Sequence, residues 1–188
     1  MKREILQTLI IETMTLARTT IDELGLGETA INRIQVAMGK LAQAPGLINF
    51  AIMNEVHGSG VGASVLASDG PDSLTLVFAR FPEEPPTPVH DHNTWGIIYV
   101  IDGYDMYTHW ERVDDGHDPD KAELRIKYSK VLGPGDSLYY TGPPNDIHSQ
   151  HGHNGAVFEL VLFGRNAMQI PRHYFDTQTG RITLALPQ

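Results

Sequence analysis

From residue 73 to residue 186 the chain alternates short β-branched and aromatic stretches with turn chemistry, and this pattern most constrains its fold. The stretches are "SLTLVFARF" (73–81), "TWGIIYVI" (94–101), "YDMYTHWERV" (104–113), "AELRIKYSKVL" (122–132), "AVFELVLF" (156–163) and "RITLAL" (181–186). Between them lie "DG", "VDDGHDPD", "GPGD", "GHNG" and "TQTG", and "SDGPD" precedes the first, all rich in residues that turn a chain. Short strands at this spacing, with no helical pattern between them, predict an antiparallel sandwich or barrel.

The first 57 residues follow a different period. Ile31, Ile34, Met38 and Leu41 recur at helical spacing, Leu47, Phe50 and Ala51 continue it after Pro45, and "GLG" at 25–27 separates a first helix from a second. The expected organisation is one domain over 1–188, with a helical cap over 1–57 and a β-barrel over 61–188. A chain of 188 residues is long enough to close a hydrophobic core of its own.

A formal charge of −9 argues against nucleic acid or an anionic membrane surface as a partner, because both require basic faces. No apolar run approaches the ~20 residues of a membrane span. The opening "MKREILQTLIIETMT" carries Glu4 and Glu12 and no small-residue cleavage site, so a cytoplasmic location is expected. Cysteine is absent, which excludes thiolate nucleophiles, disulfides and thiolate metal sites. Any metal has to be held by His, Asp, Glu or carbonyl oxygen.

Nine histidines are present, and seven fall between residues 90 and 153. In "PVHDHNTWGIIYVIDG", His90 and His92 stand one residue apart. On a strand both rings would project to one face and Asp91 to the other. Two parallel imidazoles either share a metal or lie side by side in water. His148, after "GPGDSLYY", is the histidine placed to converge on them. His151 and His153 fall in a Gly/Asn-rich turn, and His117 lies in the loop "DDGHDPD", both expected at the surface.

The order of HxH, "IIYVIDG", "GPGD" and a later histidine resembles the two motifs of the cupin superfamily, and so implies a mainly-β double-stranded β-helix. Where the common cupin pattern has a glutamate ligand, this chain has Gly96. That variant resembles the cysteine dioxygenase family of thiol dioxygenases, especially its bacterial 3-mercaptopropionate dioxygenase branch. The likeness runs from about Leu66 to Asp176 through "PVHDH", "GPGD" and "FGRNAMQIPRHYFD". It implies Fe(II) held by His90, His92 and His148, a small anionic thiol and O₂ as substrates, and a sulfinate product. Other divalent transition metals suit the same ligands. A homo-oligomer is compatible with the sequence.

The resemblance also marks departures. The family's Ser-x-His-x-Tyr run falls on Glu159, Val161 and Phe163, and its cysteine–tyrosine crosslink on Gly96 and Phe163. The arginine of the animal-type enzymes would fall near Ser64, whereas that of the bacterial branch falls on Arg172, where a guanidinium fork suits a substrate carboxylate. Arg112 is a second candidate anion partner. Tyr139 and Tyr140 can each supply a phenol, and Tyr140 is carried as the substrate-binding candidate. Glu159, the one charge in "AVFELVLF", is expected to face the site as a catalytic acid–base group. Trp95 is expected to pack in the core. Without the thiol chemistry, the same residues would suit a metal-dependent lyase, isomerase or hydrolase with Glu159 as general base, or a small-acid-binding cupin.

Overall fold

The computed structural model describes residues 2–53, 56–58, 61–70 and 72–187. Three helices open the chain: Lys2–Leu24 (α1), Glu28–Ala42 (α2) and Leu47–Ile52 (α3). Twelve strands follow: Val56–Gly58 (β1), Val61–Ser68 (β2), Thr75–Phe81 (β3), Val89–His90 (β4), Gly96–Asp102 (β5), Asp105–Arg112 (β6), Leu124–Leu132 (β7), Ser137–Tyr140 (β8), His148–Gly152 (β9), Val157–Phe163 (β10), Arg172–Phe175 (β11) and Ile182–Ala185 (β12). The helical stretch expected to residue 57 therefore stops at Ile52. Val56–Gly58 already pairs with β2, and residues 54–55, like Pro71 of the expected "SDGPD" turn, lie outside the described residues.

Two antiparallel six-stranded sheets face each other, in the orders β1-β2-β3-β10-β5-β8 and β12-β11-β4-β9-β6-β7. This is the mainly-β double-stranded β-helix, with helices at its N-terminal side. In α1, Leu6, Ile10, Met14 and Ala17 are buried at helical spacing, and in α2 Ile34, Met38 and Leu41. These stripes pack on Leu76, Ile97, Leu160 and Leu162, the outward residues of the first sheet. The alternate residues, such as Val77, Ala79, Ile98, Val100, Val157 and Val161, point into the barrel. Both faces of β10 are thus buried, which is why "AVFELVLF" reads as a continuous apolar run. Trp95 packs at the edge of the helix-facing core, as expected.

The second sheet ends in β7, an edge strand exposed along most of its length and studded with Arg125, Lys127 and Lys130, charges that discourage pairing with another chain. Among the described residues no helix is long and apolar enough to cross a membrane.

Candidate metal centre

His90 closes the two-residue strand β4, whereas His92 lies just past its end, so the pair does not share one strand as the i, i+2 argument had it. The rings still come to one side because register places them there: His90 pairs with His148 of β9 on one edge and with Tyr174 of β11 on the other. Asp91 does point away, as expected. Its carboxylate accepts the His173 main-chain N–H at 2.8 Å and the His173 Nδ1–H at 2.7 Å, tying β11 to the histidine pair.

The ligand nitrogens of His90, His92 and His148 lie within 4.8 Å of one another, and all three residues are buried. His90 Nδ1–H donates to the Pro88 carbonyl at 2.8 Å and His148 Nδ1–H to the Asp146 carbonyl at 2.9 Å. A carbonyl only accepts, so in both rings the proton sits on Nδ1 and the Nε2 lone pair is free. His92 Nε2 stands 3.3 Å from His148 Nε2. Two nitrogens each ~2.1 Å from a common ion, at an angle of roughly 105°, would be about 3.3 Å apart. Burial depresses the protonation of all three, most of all by desolvation, and takes His148 down to about 3. Three neutral imidazoles with converging ring nitrogens, two of them with the Nε2 lone pair free, fit a divalent metal.

Aromatic rings wall this centre. Tyr107 and Tyr140 each lie 5.3 Å from the His148 ring, Phe163 lies 4.7 Å from His92, and Tyr174 stacks on His90 at 6.0 Å. The choice between Tyr139 and Tyr140 is resolved by strand alternation: Tyr139 packs with the helix-facing core and Tyr140 inward. Tyr140 pairs directly with Gly96 across β5 and β8. A Cβ on Gly96 would stand 2.3 Å from the Tyr140 hydroxyl. The Tyr140 ring therefore fills the space in which a side chain at 96 would begin. The hydroxyls of Tyr107 and Tyr140 are buried without a hydrogen-bond partner, and burial pushes both phenols up, so they remain donors.

Arg172 opens β11 and is buried. Its Nη2 donates to the Ala167 carbonyl at 2.8 Å, while its Nε is buried with no partner. Its charge acts on all three histidines. Arg112 is not brought to them. It grips Asp114 through Nε at 3.2 Å and Nη2 at 2.6 Å, and Nη2 also donates to the Lys121 carbonyl at 2.9 Å. Glu159 is fully buried and points inward from β10, where Gln150 Nε2 donates to its Oε2 at 3.0 Å. His151 is on β9 rather than in a turn, and is half-buried. His117 is exposed, as expected.

Four residues near the centre escaped sequence reasoning: Asp105, Tyr107, Gln150 and Asp146. Asp146 accepts the His92 main-chain N–H at 3.1 Å, and burial raises its carboxyl to about 6. Asp105 and Tyr107 share one parity with His109 on β6, and Gln150 shares that of His148 on β9. Alternation could have placed them inward once those strands were known.

No family model matches the chain, and no curated protein matches it. Solved structures do. KdgF from a Halomonas species is 18% identical over 60% of this chain and 87% of its own, with a TM-score of 0.45. An RmlC-like cupin from Ralstonia eutropha is 16% identical over 69% and 68%, at 0.46. A chain from the structures of the DMSP lyases RdDddP and RnDddQII is 14% identical over 80% and 72%, at 0.48. These likenesses concern architecture alone. Fold and site define a double-stranded β-helix whose buried three-histidine group could hold a metal ion.

Proposed function

We propose that this protein is a mononuclear non-haem iron dioxygenase of the thiol dioxygenase type, converting a small anionic thiol to its sulfinate. One observation carries the reading: three neutral imidazoles converge with no carboxylate among them, beside a buried guanidinium whose Nε lacks a partner. Such a set leaves the charge of a divalent ion uncompensated and favours a substrate with two negative groups, a thiolate and a carboxylate.

Bound at the histidines, Fe(II) would supply the redox chemistry that delivers both atoms of O₂ to sulfur. No other reductant is needed, because the sulfur provides all the electrons that reduce the dioxygen. His90, His92 and His148 would hold the ion, with the rings of His90 and His148 fixed by the Pro88 and Asp146 carbonyls. Arg172 anchors the substrate carboxylate and so fixes where its sulfur lies. The Tyr140 and Tyr107 hydroxyls offer hydrogen bonds to substrate or dioxygen, and the aromatic wall excludes water. Arg112, held by Asp114, is left out of this assignment. The protein acts in the cytoplasm as one domain, alone or as a homo-oligomer, with neither nucleic acid nor membrane as partner.

Metal analysis followed by O₂ uptake from anaerobically iron-loaded protein tests the reading against a panel of small mercapto acids. Stoichiometric O₂ consumption with sulfinate formed is expected. An iron-loaded sample that consumes no O₂ with any of them removes it. A second reading rests on Glu159: a carboxyl buried inside a barrel is a candidate general base for a metal-dependent lyase, isomerase or hydrolase of a small acid. Turnover of a carboxylic acid without O₂ would favour that reading, and stoichiometric binding without turnover would leave a small-acid-binding protein.

A further inference from the structure

Beyond the histidines the barrel interior holds two carboxyl groups with no cation to match them among the described residues. Asp105 begins β6, between Leu132 of β7 and Gly152 of β9, and Glu159 sits in β10, between Ala79 of β3 and Val100 of β5. The two come from opposite sheets, face each other across the interior, and are each 0% exposed. Among the described residues neither enters an ion pair. The Gln150 amide is the one side-chain donor to Glu159, and the His151 main-chain N–H faces Asp105 without completing a hydrogen bond. Both Asp105 oxygens and Glu159 Oε1 are thus buried without a donor.

Two ionised carboxylates cannot satisfy one another, since each only accepts. Leaving both charged in an apolar interior is prohibitive, whereas one proton between them converts the clash into a strong O–H···O⁻ hydrogen bond. Burial raises both groups, and the charge of Glu159 raises Asp105 further, while hydrogen bonding from Gln150 pulls Glu159 back. The other titratable groups facing the pair are phenols: Tyr107, two residues along the inner face of β6 from Asp105, and Tyr140. Tyr107 stands between the pair and His148.

We infer that Asp105 and Glu159 form a proton-sharing carboxyl pair inside the barrel, and that this pair takes up the proton a thiol gives up on binding at the histidines. The S–H bond breaks, an O–H bond forms on the ionised member, and the pair passes from one proton to two. The buried interior is then spared a further charge. The uptake step rests on the thiol dioxygenase reading, whereas the sharing of a proton does not.

Infrared difference spectroscopy on the full chain tests the sharing first. At pH 7.5, where exposed carboxyl groups are ionised, the wild type should show a protonated-carboxyl C=O band. Asp105→Asn and Glu159→Gln should each remove or shift it. A wild type with no such band, or a band unchanged in both variants, overturns the pair, and the wild-type spectrum decides even if a variant fails to fold. Stability supplies a second readout. Folded-state values raised above the ordinary carboxyl range mean that folding takes up a proton above about pH 4, so stability falls as pH rises towards the folded-state value. The unfolding constant of the wild type should therefore gain close to tenfold per pH unit near neutrality relative to the double variant Asp105→Asn/Glu159→Gln; equal slopes in those two proteins would count against the pair. The uptake step is read from anaerobic calorimetry of 3-mercaptopropionate binding to iron-loaded protein in buffers of different ionisation heat. Wild type should release almost no proton to solvent, and Glu159→Gln about one. Equal release with the thiol bound overturns the uptake step alone, whereas no binding of the thiol removes the thiol dioxygenase reading and the uptake step with it; the infrared result stands in either case.

Discussion

The two faces of the first sheet differ in kind although the same strands make both. Outward, Leu160 and Leu162 of β10 meet Ile34, Met38 and Leu41 in a cluster of hydrophobic side chains. Inward, the same strand presents Glu159 to Gln150 and Asp105, and the surroundings hold the unpartnered hydroxyls of Tyr107 and Tyr140 and the Nε of Arg172. Interiors normally satisfy their polar groups, and each group left over costs about 1–3 kcal/mol. Most of them lie on the inward face, Thr20 Oγ1 of α1 being an exception, which implies that the helix-covered face supplies the stability that the reactive face spends. Stability and chemistry are separated by the thickness of one strand.

The largest effect that would test this separation is expected at the histidines. His148→Ala should abolish stoichiometric metal loading, with affinity down by more than the ~100-fold that loss of a ligand's supporting partner alone can cost. Metal analysis after dialysis checks it, and an unchanged metal content would show that the three rings do not form a metal centre. Next comes the opposite face. Leu160→Ala should destabilise the fold by about 2–5 kcal/mol through the cavity left under the helices, measured by denaturant unfolding, and should leave metal affinity alone. A weakened metal site in that variant would mean that the two faces are coupled. Third is Arg172→Ala, which should keep metal and fold but raise KM for acidic substrates by the equivalent of about 2–4 kcal/mol. Steady-state kinetics with a charged substrate and its neutral amide would sharpen the point, because only the charged one should lose affinity.

How legible this was in the sequence follows the same division. The six stretches beginning at Ser73, Thr94, Tyr104, Ala122, Ala156 and Arg181 each contain a strand, because at least one face of each is apolar or its bounding turns carry Gly, Asp or Asn. Strands β1 and β2 were not singled out at all. The short strands β4, β8, β9 and β11 were not legible as strands either. They run for two to five residues, and "HSQHG" and "RHYF" carry the site's own polar residues on the face that would otherwise alternate with solvent. Chemistry erased the hydrophobic period that reveals a strand. His92 and His151 were misplaced for that reason, whereas His148 was found through the order of motifs. Asp105 and Tyr107 lay in plain view in "YDMYTHWERV", but which parity faces inward is set by pairing with β9, a long-range fact.

The contact between Gly96 and Tyr140 has a consequence for how this site can change over generations. A glutamate at 96 would bring a carboxylate towards the three histidines, yet its first carbon would collide with the Tyr140 ring. Shrinking Tyr140 first would open a void beside His92 and His148, at a cost of roughly 3–5 kcal/mol for a lost aromatic ring. Either step alone passes through a damaged protein, so the two positions can be exchanged only together. With a phenol set against a glycine here, single mutations explore other parts of the site far more readily than they add a fourth ligand to it.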